Sequence, residues 1–295
     1  MSEDKIEKST KPGANTVNDL YRSLVIVLSK IGATSPVGDA KMIIEHITGL
    51  STLTDIHTSK DEVTEEQIVK VNNILREKRR GRPIQYTIGW TNFFGRRFSI
   101  SKGVFIPRFE TEVLVRRAIK LLGEDSGKRV FEVGCGCGAV AITLAIETGA
   151  SCYGVDIDGI AIKVAEKNIR NYNVGDKVRV WMGDLYEGIK EGDTFDLIVA
   201  NPPYIKQKDI EKLPKEVKDH EPISALYGGE DGFDIIRYIV AGARDYLKPG
   251  GRLLLEFGEE IPEDFNTYAE LCGLKLVDVI KDLSDKPRVL ELSLL

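Results

Sequence analysis

Asn201-Pro202-Pro203-Tyr204 stands directly after the apolar run Phe195–Ala200, and it is the stretch of this chain with the most chemistry in it. The run Phe-Asp-Leu-Ile-Val-Ala reads as a buried strand. Two consecutive prolines stop it abruptly, since neither has an N–H to give to a sheet. Asn201 is thereby fixed at the carboxyl end of a central strand, with the Pro202 carbonyl and the Tyr204 ring beside it. In open α/β sheets ligands bind at that edge. Two acceptors and a ring face suit a planar guest carrying an NH2, either a side-chain amide or an exocyclic base amine. The plainer reading is that Pro-Pro only punctuates the strand.

A second constellation lies upstream. Glu132-Val133-Gly134-Cys135-Gly136-Cys137-Gly138 ends one predicted strand and opens a helix. Glycines at alternate positions let the backbone turn tightly and come within van der Waals distance of a ligand. Asp156 ends the next strand, where a carboxylate can accept from ribose hydroxyls. Read as Gly134, Gly136, Ala139, the loop also satisfies a dinucleotide fingerprint. Three features favour S-adenosylmethionine: the third alternate glycine at 138, the acid Glu132 suited to a cationic ligand end, and Gly183-Asp184-Leu185, placed to border an adenine. The loop holds no Arg or Lys for a phosphate, although a helix N-terminus alone can hold pyrophosphate. Asp156 could instead cap the helix starting near Gly159, but Asp158 can fill that role. Cys135 and Cys137 read as small fillers, with nothing basic near them in sequence.

These residues need a frame to hold them. From about residue 128 short apolar strands alternate with helices: strands at Arg129–Val133, Cys152–Asp156, Val178–Met182, Phe195–Ala200 and Arg252–Phe257, helices at Ala139–Glu147, Gly159–Tyr172 and Phe233–Leu247. That alternation predicts a parallel sheet covered on both faces. Leu274–Leu295 reads as two more strands around Ser284-Asp285-Lys286-Pro287. The first ~85 residues read as helical. Ala40–Leu50 is amphipathic, and Thr64 with Gln67 fits a capping box ahead of the stripe Ile68, Val71, Ile74, Leu75. That helix ends in Arg76, Lys78, Arg79 and Arg80 before Gly81 and Pro83. The basic cluster reads first as a solvated helix end, and second as a patch for a partner. Gln85–Ile106, rich in aromatics, reads as a connecting hairpin. The expected division is a flexible tail over 1–15, a helical substrate-recognition domain over 16–85, a linker over 86–110 and a catalytic domain over 111–295.

Bulk properties narrow the classes. The 295 residues are 42% hydrophobic and 29% charged, ordinary for a soluble globular protein. No stretch reaches the ~20 apolar residues that span a bilayer. The first 15 residues, polar and mixed in charge, lack a secretory signal's apolar core. Cys135, Cys137, Cys152 and Cys272 with His46, His57 and His220 give no metal-like spacing, and a reducing cytoplasm is the expected setting. Residues 1–100 hold 15 Lys+Arg against 12 Asp+Glu; the rest holds 26 against 34. An acidic catalytic half is a poor match for duplex nucleic acid, whose affinity comes largely from phosphate neutralisation.

Assembled, the chain closely resembles the release factor glutamine methyltransferases (PrmC/HemK) from about residue 35 to the end. The resemblance rests on Gly81–Gly89 (GRPIQYTIG), Val104–Glu112 (VFIPRFETE), the glycine loop, Asn201–Tyr204, and Glu221-Pro222 with Ala225–Gly232 (ALYGGEDG). The glycine loop and the NPPY motif are shared with other methyltransferases; the other segments are more specific. The resemblance implies an α/β fold, a Rossmann-like class I methyltransferase sheet of seven strands with the last antiparallel, behind a small N-terminal helical domain. It implies methylation, by S-adenosyl-L-methionine, of the amide nitrogen of the Gly-Gly-Gln glutamine in class I peptide chain release factors. In family terms Glu132, Gly134, Cys135, Gly136, Cys137, Gly138, Asp156, Asp184, Leu185 and Asn201 hold the methyl donor. Asn201, Pro202, Pro203 and Tyr204 hold the glutamine, with Asn201, Pro202 and Tyr204 carrying the catalysis. Phe109 departs from the family's usual proline, which removes a preset φ from that turn. The rival substrate class is a flipped base, methylated at adenine N6 or at guanine N2 of rRNA.

Overall fold

The structure, a computed structural model, describes residues 16–258 and 260–295, so the expected tail over 1–15 lies outside the described residues. The chain divides into two compact units between Ile88 and Gly89.

The first unit is helical. Val17–Lys30, Pro36–Thr48, Leu53–Thr58, Glu65–Arg79 and Ile84–Ile88 are its helices. Thr64 and Gln67 form the expected capping box: the Thr64 hydroxyl accepts from the Gln67 N–H, and the Gln67 side chain accepts from the Thr64 N–H. The stripe below buries Val71, Ile74 and Leu75. Pro36–Thr48 starts four residues before the predicted Ala40, because Pro36 is pre-organised for a helix's first turn. Gln85–Ile88, read as the start of a hairpin, is instead helical.

The second unit opens with a hairpin, β1 (Trp90–Phe93) and β2 (Arg96–Ser99). Its turn residues Phe94 and Gly95 both have positive φ, the twist that suits a two-residue hairpin. Seven further strands make one sheet: β3 (Arg129–Val133), β4 (Ser151–Asp156), β5 (Val178–Met182), β6 (Phe195–Ala200), β7 (Leu247–Glu256), β8 (Leu274–Lys281) and β9 (Pro287–Leu294). Their order is β5-β4-β3-β6-β7-β9-β8, and β9 alone runs opposite in direction to the other six. The seven-stranded sheet with its last strand antiparallel is therefore as predicted. β7 starts five residues before the predicted Arg252 and ends one earlier, at Glu256. Pro249-Gly250-Gly251 look like a turn, but the strand absorbs them across an irregularity opposite Phe195 and Leu197, where a proline costs no ladder bond. The helix Thr111–Leu122 was not predicted, although Leu114, Val115, Ala118 and Leu122 form its buried stripe.

Phe131, in the middle of β3, anchors an aromatic cluster in the core. Its ring centroid lies 5.1 Å from that of Phe195, and 5.9 Å from those of Trp181 and Tyr186. The strand order reverses between β3 and β6, so the carboxyl edge there opens as a crevice. Register does the rest. Val133, Ala200 and Leu255 are aligned across β3, β6 and β7, which puts the next residues, Gly134, Asn201 and Glu256, in one row at that edge.

Candidate active site and cofactor pocket

A cavity of about 410 Å³ occupies this crevice. Of the residues singled out from sequence, Glu132, Gly134, Cys135, Gly136, Cys137, Asp156, Asp184, Leu185, Asn201, Pro202 and Pro203 line it. Gly138 and Tyr204 do not.

The glycine loop is built from the sheet outward. The Gly134 and Cys135 N–H groups both donate to the Val155 carbonyl at 2.9 Å, tying β3's end to β4. The Gly136 N–H then donates to Asp156 Oδ2 at 2.7 Å. Gly134 and Gly136 have φ of 72° and 54°, and a Cβ on either would meet nothing within 4 Å. That open side is the space a ligand can fill. Gly138 has another task. At φ 78° it turns the chain into the helix Ala139–Thr148, and a Cβ there would lie 3.2 Å from the Ala165 Cβ. Its place is helix packing rather than the cavity wall.

The acids around the cavity are held individually. Glu132 Oε2 accepts from the Ala141 N–H at 2.9 Å, inside the first turn of that helix. Burial still holds its carboxyl well above the usual carboxylate range, with Asp156 adding to the effect. Asp156 Oδ1 accepts from the Asp158 N–H at 2.9 Å, and burial again raises its pKa against the pull of its two N–H donors. Asp158 caps the helix Gly159–Asn171, accepting from the Ile160 N–H at 2.7 Å, as predicted. Cys135 and Cys137 are buried thiols; burial lifts Cys137 to about 12 and Cys135 well above its usual value. Neither is a thiolate near neutrality, so they are fillers rather than nucleophiles. No Lys, Arg or His lines the cavity among the described residues.

At the other wall, Asn201 Nδ2 donates to Thr111 Oγ1 at 2.9 Å, which leaves Oδ1 as the amide's acceptor. Among the described residues, nothing in the chain donates to the Pro202 carbonyl. Tyr204 differs from expectation. Its hydroxyl is drawn to Glu256, donating to Oε1 at 3.2 Å, and its ring borders a neighbouring depression with Lys206, Asp209 and Phe233. It therefore braces the loop from behind and does not face the cavity. Behind the same loop, the Ile205 N–H donates to the Leu226 carbonyl at 2.8 Å and the Gly228 N–H to the Ile205 carbonyl at 3.0 Å. A Cβ on Gly228 would come within 2.6 Å of the Pro203 carbonyl oxygen, and one on Gly232 within 2.4 Å of the Tyr204 oxygen. The segment Gly228–Gly232 is thus the bed on which Asn-Pro-Pro-Tyr lies.

Two family models match: the PrmC N-terminal domain over residues 19–89 and the methyltransferase small domain over residues 109–217. The release factor glutamine methyltransferase of Rhodopirellula baltica is 33% identical over 270 residues, 89% of this chain and 91% of its own. That of Clostridium botulinum is 34% identical over 269 residues, 90% of this chain and 94% of its own. This chain belongs to the release factor glutamine methyltransferase family. Among solved structures, a methyltransferase from Pyrococcus furiosus aligns at a TM-score of 0.49 and 16% identity, over 78% of this chain and 98% of that one, too distant to add to the assignment.

A release factor glutamine methyltransferase uses S-adenosylmethionine, and the residues present fit it. The cavity is acid-lined, cation-free and apolar over most of its wall, as a sulfonium with a flat base requires. Burial disfavours the charged forms of Glu132 and Asp156 only while no cation or hydroxyl meets them. A pyrophosphate would meet four acids, Glu132, Asp156, Asp158 and Asp184, with no compensating side chain.

Several site residues escaped the sequence reading. Thr111 orients Asn201. Asn168, fully buried, donates to the Cys137 and Ser99 carbonyls at 2.9 and 3.0 Å, pinning the glycine loop to β2. Glu221, buried, binds the Arg108 guanidinium, joining the VFIPRFETE segment to the Glu-Pro segment; burial nonetheless raises its pKa against that partner. Thr111 and Glu221 were signalled only by their place in the VFIPRFETE and Glu-Pro segments and Glu256 only as an acid after an apolar run, while Asn168 carried no signal. The turn before Thr111 forms without the family's proline: the Thr111 and Glu112 N–H groups donate to the Arg108 and Phe109 carbonyls, and Phe109 is 65% exposed.

Proposed function

We propose that this enzyme methylates the amide nitrogen of the glutamine in the Gly-Gly-Gln loop of class I peptide chain release factors, in the cytoplasm. Asn201 carries the reading. Its NH2 is committed to Thr111, so the acceptor end of its amide is what remains for a guest's N–H, and the Pro202 carbonyl is a second acceptor beside it. The release factor named by the relatives supplies a guest of that kind.

An amide nitrogen is a weak nucleophile because its lone pair is delocalised into the carbonyl. Gly134, Cys135, Gly136, Asp156, Asp184 and Leu185 would hold the S-adenosylmethionine, with Glu132 facing its cationic end. When bound, it supplies an electrophilic methyl group. What the chain's own residues add is orientation, which in such systems is worth ~7–11 kcal/mol. Asn201 Oδ1 and the Pro202 carbonyl each accept one N–H of the substrate amide. As bonding to the methyl builds positive charge on that nitrogen, both acceptors bind it more tightly, which is the direction that lowers a barrier. Tyr204 and the bed at Gly228–Gly232 keep the two acceptors fixed. No base is needed during transfer, because the product nitrogen is acidic and sheds its proton afterwards.

A base amine would satisfy the same two acceptors. The acidic, cation-free cavity weighs against it, since a flipped nucleotide brings its phosphates along. The two are separated by offering labelled S-adenosylmethionine with purified release factor, with DNA and with rRNA. Label is expected on the protein alone; label on nucleic acid alone would overturn the assignment.

A further inference from the structure

The clamp described above leaves one group unexplained. Glu256 ends β7 in the same row as Asn201 and has no exposed surface. Its Oε1 accepts from the Tyr204 hydroxyl at 3.2 Å, while Oε2 is buried with no hydrogen-bond partner. A carboxyl so placed is costly, and the three residues before it, Leu253, Leu254 and Leu255, are apolar and fully buried. Thr111 and Tyr204 both favour the charged form of Glu256, and Oε2 is the oxygen left without a partner. The Thr111 hydroxyl also accepts from Asn201 Nδ2. Glu256 thus connects to both ends of the Asn-Pro-Pro-Tyr motif.

We propose that Glu256 is a positioning residue for methyl transfer, its carboxylate claiming the Thr111 hydroxyl proton so that Thr111 can only accept from Asn201 and the Asn201 carbonyl oxygen stays free for the substrate amide. The inference deepens the function proposed above and rests on it. A hydroxyl has a single proton and can give it in only one direction. When Glu256 is ionised, that proton points to the carboxylate and the Thr111 lone pairs meet the Asn201 NH2. When Glu256 is protonated, its own O–H can occupy the Thr111 oxygen. The Thr111 proton is then released toward Asn201, where it competes for the acceptor or lets the amide rotate. Tyr204 gives its proton to the same carboxyl and holds the far end of the motif.

Charge on Glu256 therefore sets the polarity of the chain of groups. Facing it are Tyr204 from the loop after β6, Glu110 and Thr111 at the head of the helix Thr111–Leu122, and Arg288 from β9. Glu110 opposes its ionisation and Arg288 favours it; burial outweighs both and pushes its pKa up to about 7. The switch lies within the range where the enzyme can be assayed.

The test is the pH profile of single-turnover methylation of intact release factor by the full-length enzyme and by Glu256→Gln. A glutamine has the shape of the protonated acid and, like it, donates to Thr111. The wild-type rate should rise along a limb with a midpoint near 7. E256Q should be flat at the wild type's acid-side rate, at least about tenfold below wild type near pH 8. The Michaelis constant for S-adenosylmethionine should stay within about twofold, since the cofactor wall is untouched. Thr111→Val removes the relay and should also be flat, and it decides the question alone if E256Q does not fold. An E256Q or T111V profile that keeps the wild-type limb overturns the inference. So does a rate lowered equally at every pH, which is what a merely structural role produces. A wild type that methylates no release factor refutes the underlying substrate assignment instead.

Discussion

Glu256→Gln should make this protein more stable above neutrality while making it slower. The magnitude follows from the buried carboxyl. Burial raises its pKa from the model-peptide range near 4.5 to about 7, mainly by desolvation. A gap of about 2.5 units at 1.36 kcal/mol each is about 3 kcal/mol of unfavourable native-state ionisation. The sign is that of a raised acid. Between about 4.5 and 7 the folded chain holds a proton that the unfolded chain has lost, so stability falls as pH rises through that window. Below it the contribution is complete; above 7 the whole penalty is present. E256Q has no such window. Its stability relative to wild type should therefore improve by about 3 kcal/mol between pH 4.5 and pH 8. The absolute value is offset by whatever the amide's own buried donors leave unsatisfied, about 1–3 kcal/mol. Both tryptophans, Trp90 and Trp181, lie in the second unit, so their fluorescence during urea unfolding reports the relevant unit alone. A difference between E256Q and wild type that does not change with pH would refute the reasoning.

Other positions give independent checks. Asp156→Ala removes the acceptor for Gly136 and Asp158 N–H groups as well as for ribose hydroxyls, and should weaken S-adenosylmethionine binding at least about tenfold by calorimetry without unfolding the protein. Gly138→Ala combines a left-handed φ with a 3.2 Å approach to Ala165, and should cost roughly 1–3 kcal/mol in the same urea assay. Arg76, Arg79 and Arg80 are the exposed cations at the end of Glu65–Arg79, and replacing all three by Ala should raise the Michaelis constant for intact release factor more than for a Gly-Gly-Gln peptide. Lys78 is kept out of that set because its side chain is buried against Asp39 at 3.2 Å, and removing it would take a cation away from a buried carboxylate.

How much of this was legible from sequence depended on whether local order carried the signal. Phe195–Ala200 followed by Asn-Pro-Pro, the alternate glycines and Asp156 announce themselves because strand, stop and turn chemistry are local. The Thr64–Gln67 box was equally plain, both halves lying within one turn. Lys78 was read as a solvated end residue because its partner, Asp39, is 39 positions away. Thr111 and Glu256 were missed for the same reason. Nothing near Thr111 says that it will meet Asn201, which happens only when the sheet's register sets Asn201 and Glu256 side by side. Tyr204 was expected to face the substrate because it follows Asn201 closely. The carboxyl buried behind the loop draws its hydroxyl the other way.

The central claim is that Asn201 clamps a glutamine amide for methylation. It is tested most directly by peptide mass spectrometry of release factor after incubation with S-adenosylmethionine and wild type, Asn201→Ala or Asn201→Asp enzyme. One methyl group on the amide nitrogen of the Gly-Gly-Gln glutamine is expected with wild type. The rate should fall by roughly 10²–10³ with N201A, as for removal of one transition-state hydrogen bond, and by less with N201D, which keeps an acceptor. Methylation of that glutamine by N201A at the wild-type rate would contradict the clamp and leave Asn-Pro-Pro as no more than the end of a strand.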